Sequence, residues 1–144
     1  MKPEYKILNF AQKNDALYFV GYSDEDADLV NEILLEHKFS KIPEDYQKFL
    51  TYINGLSYDG LMFFGSKPHY RKSKDYVFPS IVSATFEYKD LRFFQNKIVI
   101  GRGAEFILIY DGDDEKYKML NRINLKSKRE YNNFINMITD LYNI

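Results

Sequence analysis

Two runs constrain this chain more than any others: KIVIGR, Lys97 to Arg102, and FILIYD, Phe106 to Asp111, separated by Gly103-Ala104-Glu105. Both are rich in isoleucine, and a link of hairpin length containing glycine joins them, so they read as two antiparallel strands. Asp111-Gly112-Asp113-Asp114 then turns the chain into KYKMLNRI, a looser third strand. LMFFG, Leu61 to Gly65, is a short apolar run bounded by turn residues and suits a fourth, buried strand.

The rest of the chain reads mainly as helix. In IPEDYQKFLTYINGL, Pro43 is placed in a first helical turn, where its missing N–H costs nothing. Glu44 and Asp45 put negative charge at the positive end of the dipole. Tyr46, Phe49, Leu50 and Ile53 recur at helical spacing, and Asn54-Gly55 is the expected stop. Ile42 carries no capping oxygen and reads instead as a plug in a core. Earlier, Pro3 to Lys13 is weakly helical. Ser23 with Asp26 forms a near capping box for a helix carrying Ala27, Val30, Ile33 and Leu34 on one face. Pro79-Ser80 opens a further helix to about Leu91 on the spacing of Ile81, Ala84 and Tyr88, with a strand as the alternative because Ile, Val and Thr occur there. Ser127-Lys128-Arg129-Glu130 reads as a capping box for a last helix burying Tyr131, Phe134, Ile135, Ile138 and Leu141. Ser66 to Tyr76 is polar and basic and reads as a loop. No linker or repeat divides the sequence. The expectation is an α+β single domain over 1–144, a twisted antiparallel sheet of about four strands with helices packed around it. Tyr46, Phe49, Leu50, Phe134 and Ile138 should be mostly buried.

Composition matters here mainly for what it removes. The absence of cysteine excludes disulfides, thiol nucleophiles and cysteine-ligated zinc. The 13 tyrosines and 12 phenylalanines, with no tryptophan, supply a broad aromatic core or, in part, an outward recognition surface. No signal-length apolar run appears at the N-terminus, and ALYFVG is too short to span a bilayer, so the expected location is cytoplasmic, with no membrane partner. The net charge of −1 conceals polarity along the chain. Asp24, Glu25, Asp26, Asp28, Glu32 and Glu36 fall in a stretch without lysine or arginine. Lys116, Lys118, Arg122, Lys126, Lys128 and Arg129 fall in one without acids. Such runs are solvated faces or steer a charged partner.

Motifs for catalysis are missing. His37 and His69 stand alone, outside any metal-binding pattern, and no nucleophile elbow or Walker loop occurs. Gly101-Arg102-Gly103 lacks the helix N-terminus that a phosphate loop needs. Asp111 to Glu115 has its glycine in the wrong place for a calcium loop and lacks the downstream glutamate, so it reads as a hairpin turn. The expectation is no enzyme activity, no catalytic residue, no cofactor and no metal. The basic run could pair phosphate contacts with tyrosine stacking, but a pI of about 6.1 and the acidic helix argue against a nucleic-acid partner.

IPEDYQKFLTYINGL, followed by LMFFG, KIVIGRG, EFILIYD and REYNNFINMITDL, resembles the SUKH superfamily, which includes yeast cell-wall synthesis regulators and bacterial toxin-immunity proteins. The similarity runs from about Ser23 to the C-terminus and is greatest to the bacterial YrhA-like branch. It implies a binding module without an active site, in many members one that neutralises a cognate toxin domain by covering it. The alternative is an intracellular adaptor or regulator with no toxin partner. Candidate partner-binding residues are Asp24, Glu25, Asp28 and Glu32 on the acidic helix. His69 and Tyr70, within the basic loop Lys67 to Lys74, form a second candidate surface.

Overall fold

Pro3, at the first helical position, starts α1 (Pro3–Lys13), which buries Ile7 and Ala11 one turn apart. The computed structural model describes residues 2–70 and 77–144. After β1 (Leu17–Tyr18), the Ser23 hydroxyl accepts the Asp26 N–H and opens α2 (Asp24–Glu36), with Ala27, Val30 and Leu34 buried. Ile33, expected on that face, is instead 38% exposed, because it lies about 60° beyond the edge of the buried stripe.

The next helix is shorter than expected. In α3 (Glu44–Leu50) Pro43 occupies the N-cap, with an extended φ of −63° and ψ of 152°, so Ile42 lies one residue outside the helix. Its side chain is nonetheless a core plug, and its N–H is satisfied by the Asn31 side chain of α2. Asn54-Gly55 does not end the helix, which stops at Leu50. Instead the fully buried Asn54 bonds Ser66 through both ends of its amide. Gly55 has a φ of +121°, a value that side chains rarely adopt.

The sheet is larger than expected. β2 (Leu56–Tyr58) and β3 (Leu61–Phe63) form a tight hairpin. A small separate hairpin follows, β4 (His69–Tyr70) with β5 (Val77–Phe78), where a loop was expected; residues 71–76 of that loop lie outside the described residues. Ser80 and Ser83 cap each other reciprocally at α4 (Ile81–Phe86). The helix ends there rather than near Leu91, and a 3-10 turn over Arg92–Phe94 leads on. β6 (Lys97–Arg102), β7 (Phe106–Asp111) and β8 (Lys116–Asn121) form the expected meander.

The second large correction concerns Ser127 to Glu130. This segment is a strand, β9 (Ser127–Tyr131), paired with β8, and the last helix α5 (Phe134–Tyr142) starts later, capped by Asn133. The Ser127 hydroxyl does reach the Glu130 carboxylate, but pairing of Lys118 opposite Glu130 and Tyr117 opposite Tyr131 holds the segment extended. The sheet therefore has seven antiparallel strands in the order β1-β2-β3-β6-β7-β8-β9. The three extra strands were invisible because two span only two or three residues and β9 is charged and exposed.

Ile98, Tyr110 and Tyr117 are register partners and share one sheet face, where Tyr117 meets Asp45 of α3 and Phe134 of α5. α4 lies along β6, its Thr85 hydroxyl accepting the Val99 N–H. Tyr46, Phe49, Leu50, Phe134 and Ile138 are all fully or almost fully buried, as the helical spacing requires. On α5 the other buried positions are Met137 and Tyr142, while Ile135 and Leu141 are half-buried. The Tyr46 hydroxyl donates to the Phe64 and Ile100 carbonyls, tying α3 to the sheet. Among the described residues, no helix is long and apolar enough to cross a membrane.

Candidate functional site

The buried stripe of α2 leaves its acids no choice of direction. At 100° per residue, Asp24, Asp28, Glu32, Glu25 and Glu36 occupy one arc of roughly 120° opposite Ala27, Val30 and Leu34. Asp24, Glu25, Asp28 and Glu32 are exposed, and none makes an ion pair with a described residue. Three acids in the first turn, Asp24 to Asp26, also favour the helix through its dipole. That local benefit does not extend to Asp28, Glu32 and Glu36 further along.

Apolar side chains interrupt this acidic face. Leu35 is 56% exposed and lies between Asp24 and Asp28 in the helical projection, and Leu29, 59% exposed, borders Glu36. With Ile33 they put three exposed large aliphatics on one helix of thirteen residues. Leu35 stands about 120° from Leu29 in that projection, so these are separate apolar points among the charges rather than one contiguous patch.

A groove of about 510 Å³ adjoins this face, between α2 and α3. Asp24 and Asn31 line one wall, and Glu44, Gln47 and Thr51 the other, with Tyr22 among its lining residues. The Tyr22 hydroxyl is buried, faces Gln47, and makes no hydrogen bond of ordinary geometry with a described residue. Burial raises its pKa, and the charges of Asp24, Asp28 and Asp26 raise it further, opposed by the Gln47 amide.

His69 and Tyr70 separate into different roles. The His69 ring stacks on Phe19 with centroids 3.8 Å apart and planes 2° from parallel, while Nε2 donates to the Asn54 carbonyl. Burial lowers its pKa, the Asn54 bond opposes this, and Lys67 lowers it further. His69 is therefore a pin joining the β4 hairpin to Asn54, whereas Tyr70 is 72% exposed. His69 packs on Phe19, and Lys67 Nζ approaches Gly21, so the start of the basic loop meets the chain just before α2. Of the basic loop, Lys72 and Lys74 fall outside the described residues.

The acidic turn is occupied by lysines. Asp111 is buried and meets Lys118 at 3.0 Å and Lys97 at 3.5 Å; Lys97 also meets Asp113 at 3.0 Å, and Lys118 meets Asp114. Asn96 and Lys97 hold the Asp113 carboxyl below its usual range. Among the described residues no three His, Asp or Glu side chains are grouped to hold a metal ion. Millimolar Ca²⁺ or Mg²⁺ should therefore move the melting temperature by less than about 1 °C, since stabilisation requires preferential binding to the native state. A saturable rise with concentration would show that the lysines yield to the ion.

The exposed aliphatics and the groove were not foreseen. One signal existed in Leu34-Leu35: neighbours 100° apart cannot both occupy the centre of a narrow buried stripe. The groove has no such signal, because Tyr22, just before α2, and Gln47 of α3 meet only in the folded chain. No protein-family model, curated protein or solved structure matches this chain.

Proposed function

We propose that this protein is a non-enzymatic binding module that masks a basic partner protein through the outer face of α2. The observation that carries the reading is an acidic arc that pairs with no described residue, with exposed Leu35 within it and Leu29 at its edge. In such an arrangement the aliphatics supply desolvated contact, and the surrounding carboxylates steer encounter and exclude wrong partners. Together with the SUKH resemblance, the face fits an immunity protein, and its partner would be a cognate bacterial toxin domain. An adaptor without a toxin partner would use the same face and differ only in what it binds.

Reversing Asp28 and Glu32 together to lysine tests this directly. Rim charges act mainly on association, so the double variant should associate about 10- to 100-fold more slowly at low salt, with a flatter dependence on ionic strength. Leu35→Ala should act chiefly on dissociation. The measurement is stopped-flow mixing with the product of the gene adjacent to this one, after melts confirm that the variants remain folded. Equal association rates for wild type and double variant would remove α2 from the interface. Absence of binding by the wild type would leave the adaptor reading.

A further inference from the structure

A second surface, independent of α2, gathers positive charge rather than negative. Register places Arg102 opposite Ile107 and Ile107 opposite Leu120, so Arg102 shares a sheet face with Leu120 and with Arg122 two residues further on. The Arg122 N–H bonds the Glu105 carbonyl, which prolongs the β7–β8 ladder and fixes where that side chain starts. Both arginines line one cavity of about 260 Å³ between α4 and the sheet, closed by Phe64, Val99, Ile107 and Tyr88.

The donors facing this cavity are largely unspent. The Arg102 guanidinium lies over the Phe64 ring, 5.7 Å from its centroid, and makes no hydrogen bond or ion pair with a described residue. Stacking of this kind occupies the flat face of the group and leaves its in-plane N–H edges available. Arg122 makes one long bond, from Nη1 to the Ala104 carbonyl at 3.4 Å. The Tyr88 ring is held by stacking on Phe94, 4.4 Å between centroids, and its hydroxyl makes no hydrogen bond with a described residue. Burial and Glu87 raise the Tyr88 pKa while Arg122 and Arg102 pull it down, so both guanidinium groups act on the hydroxyl. Glu87 also lines the cavity but forms no ion pair with either arginine, so the lining keeps one positive charge in excess.

We infer that this cavity is a subsite for an oxyanion, a carboxylate or phosphate group of a ligand, held between Arg102 and Arg122 with Tyr88 as a third donor. A guanidinium pair presents its N–H edges to such a group in matching geometry. Val99 and Ile107 form a buried apolar floor, a low-dielectric surface against which a charge contact is strengthened.

Titrations of the whole chain followed by amide and arginine Nε–Hε resonances, at fixed ionic strength, test the inference. The probes are inorganic phosphate and acetate, with chloride as the control. Saturable shifts at Arg102, Arg122 and Tyr88 are expected with at least one oxyanion and not with chloride. Arg102→Gln should weaken binding about tenfold or more, and Arg102→Lys less, because lysine keeps the charge but loses the planar edge. Tighter binding of phosphate identifies a phosphorylated ligand; tighter binding of acetate identifies a carboxylate ligand. Shifts that do not saturate, that chloride reproduces, or that persist in the folded Arg102→Gln, Arg122→Gln double variant would overturn the subsite.

Discussion

Phe134→Ala is expected to lower stability by about 3–5 kcal/mol, the range for deleting a buried aromatic side chain whose surroundings cannot collapse. Phe134 is fully buried at the first position of α5, where four other rings converge on it. Tyr46 and Phe49 of α3 lie 4.7 Å away, Phe63 of β3 at 5.4 Å and Tyr117 of β8 at 5.8 Å, centroid to centroid. The contacts with Tyr46 and Phe63 are edge-to-face, an arrangement that adds roughly 0.5–1.5 kcal/mol per pair beyond area burial. Because the rings come from three different elements, α3, β3 and β8, no single helix can shift to fill the space. Phe49→Ala, one ring removed, should fall in the same range. Ile135→Ala, on the half-buried side of α5, should cost about 1 kcal/mol. Urea melts with unchanged m values measure all three. A loss below about 1 kcal/mol at Phe134 or Phe49 would show that these rings do not form the core.

Legibility of the fold followed how far each segment's pattern was local. The hairpin of β6 and β7 was readable to the residue because isoleucine runs and a glycine link need no other part of the chain. α1 and α2 were readable from Pro3 and Ser23 for the same reason. Ser127 to Glu130 failed because a capping box and an edge strand can share the same letters. Only pairing with β8 decides between them, and that pairing is tertiary. Asn54-Gly55 failed differently. Gly55 does take a positive φ, but outside the helix, and the buried Asn54 belongs to a junction in which its side-chain amide bonds Ser66 and its backbone carbonyl accepts from His69.

The candidate site was legible in its charges and not in its shape. Exposure of Asp24, Glu25, Asp28 and Glu32 follows from the helix period once the apolar stripe is known. That Leu29 and Leu35 stand among them needs the stripe to be narrow, which depends on how α2 meets the rest of the core. The arginine cavity could not be read at all. Arg102 and Arg122 are twenty residues apart in the chain, and the register of three strands brings them to one face.

Asp45 is a single residue on which three elements depend, and Asp45→Ala is expected to cost about 3–5 kcal/mol. Its Oδ1 accepts the Tyr117 hydroxyl of β8 and the Tyr46 N–H, and its Oδ2 accepts the Phe134 N–H at 2.7 Å. The last bond satisfies one of the unpaired donors at the start of α5 and places a carboxylate at that helix's positive end. Hydrogen bonds to a charged group contribute roughly 1.5–3 kcal/mol each, and a buried donor left without an acceptor costs the desolvation penalty as well. Tyr117 is 2% exposed, so its hydroxyl has no water to turn to. Burial, and then the negative charge of Asp45, drive its pKa far upward, which keeps it protonated and donating. Tyr117→Phe removes the donor without stranding one, since Asp45 keeps its backbone partners, and should cost only about 1–2 kcal/mol. In the double variant the stranded-hydroxyl penalty disappears, so the two losses should sum to more than the measured total by about 1–2 kcal/mol. Asp45→Asn keeps one acceptor oxygen but sets an amide against either the Tyr117 hydroxyl or the Phe134 N–H, and should fall between the alanine variant and wild type. Denaturant melts of the four-member cycle decide the matter. Simple additivity would mean that the Tyr117 hydroxyl does not depend on Asp45 and that β8 is held to α3 by ring packing, leaving the Asp45 bond to the Phe134 N–H as the tie to α5.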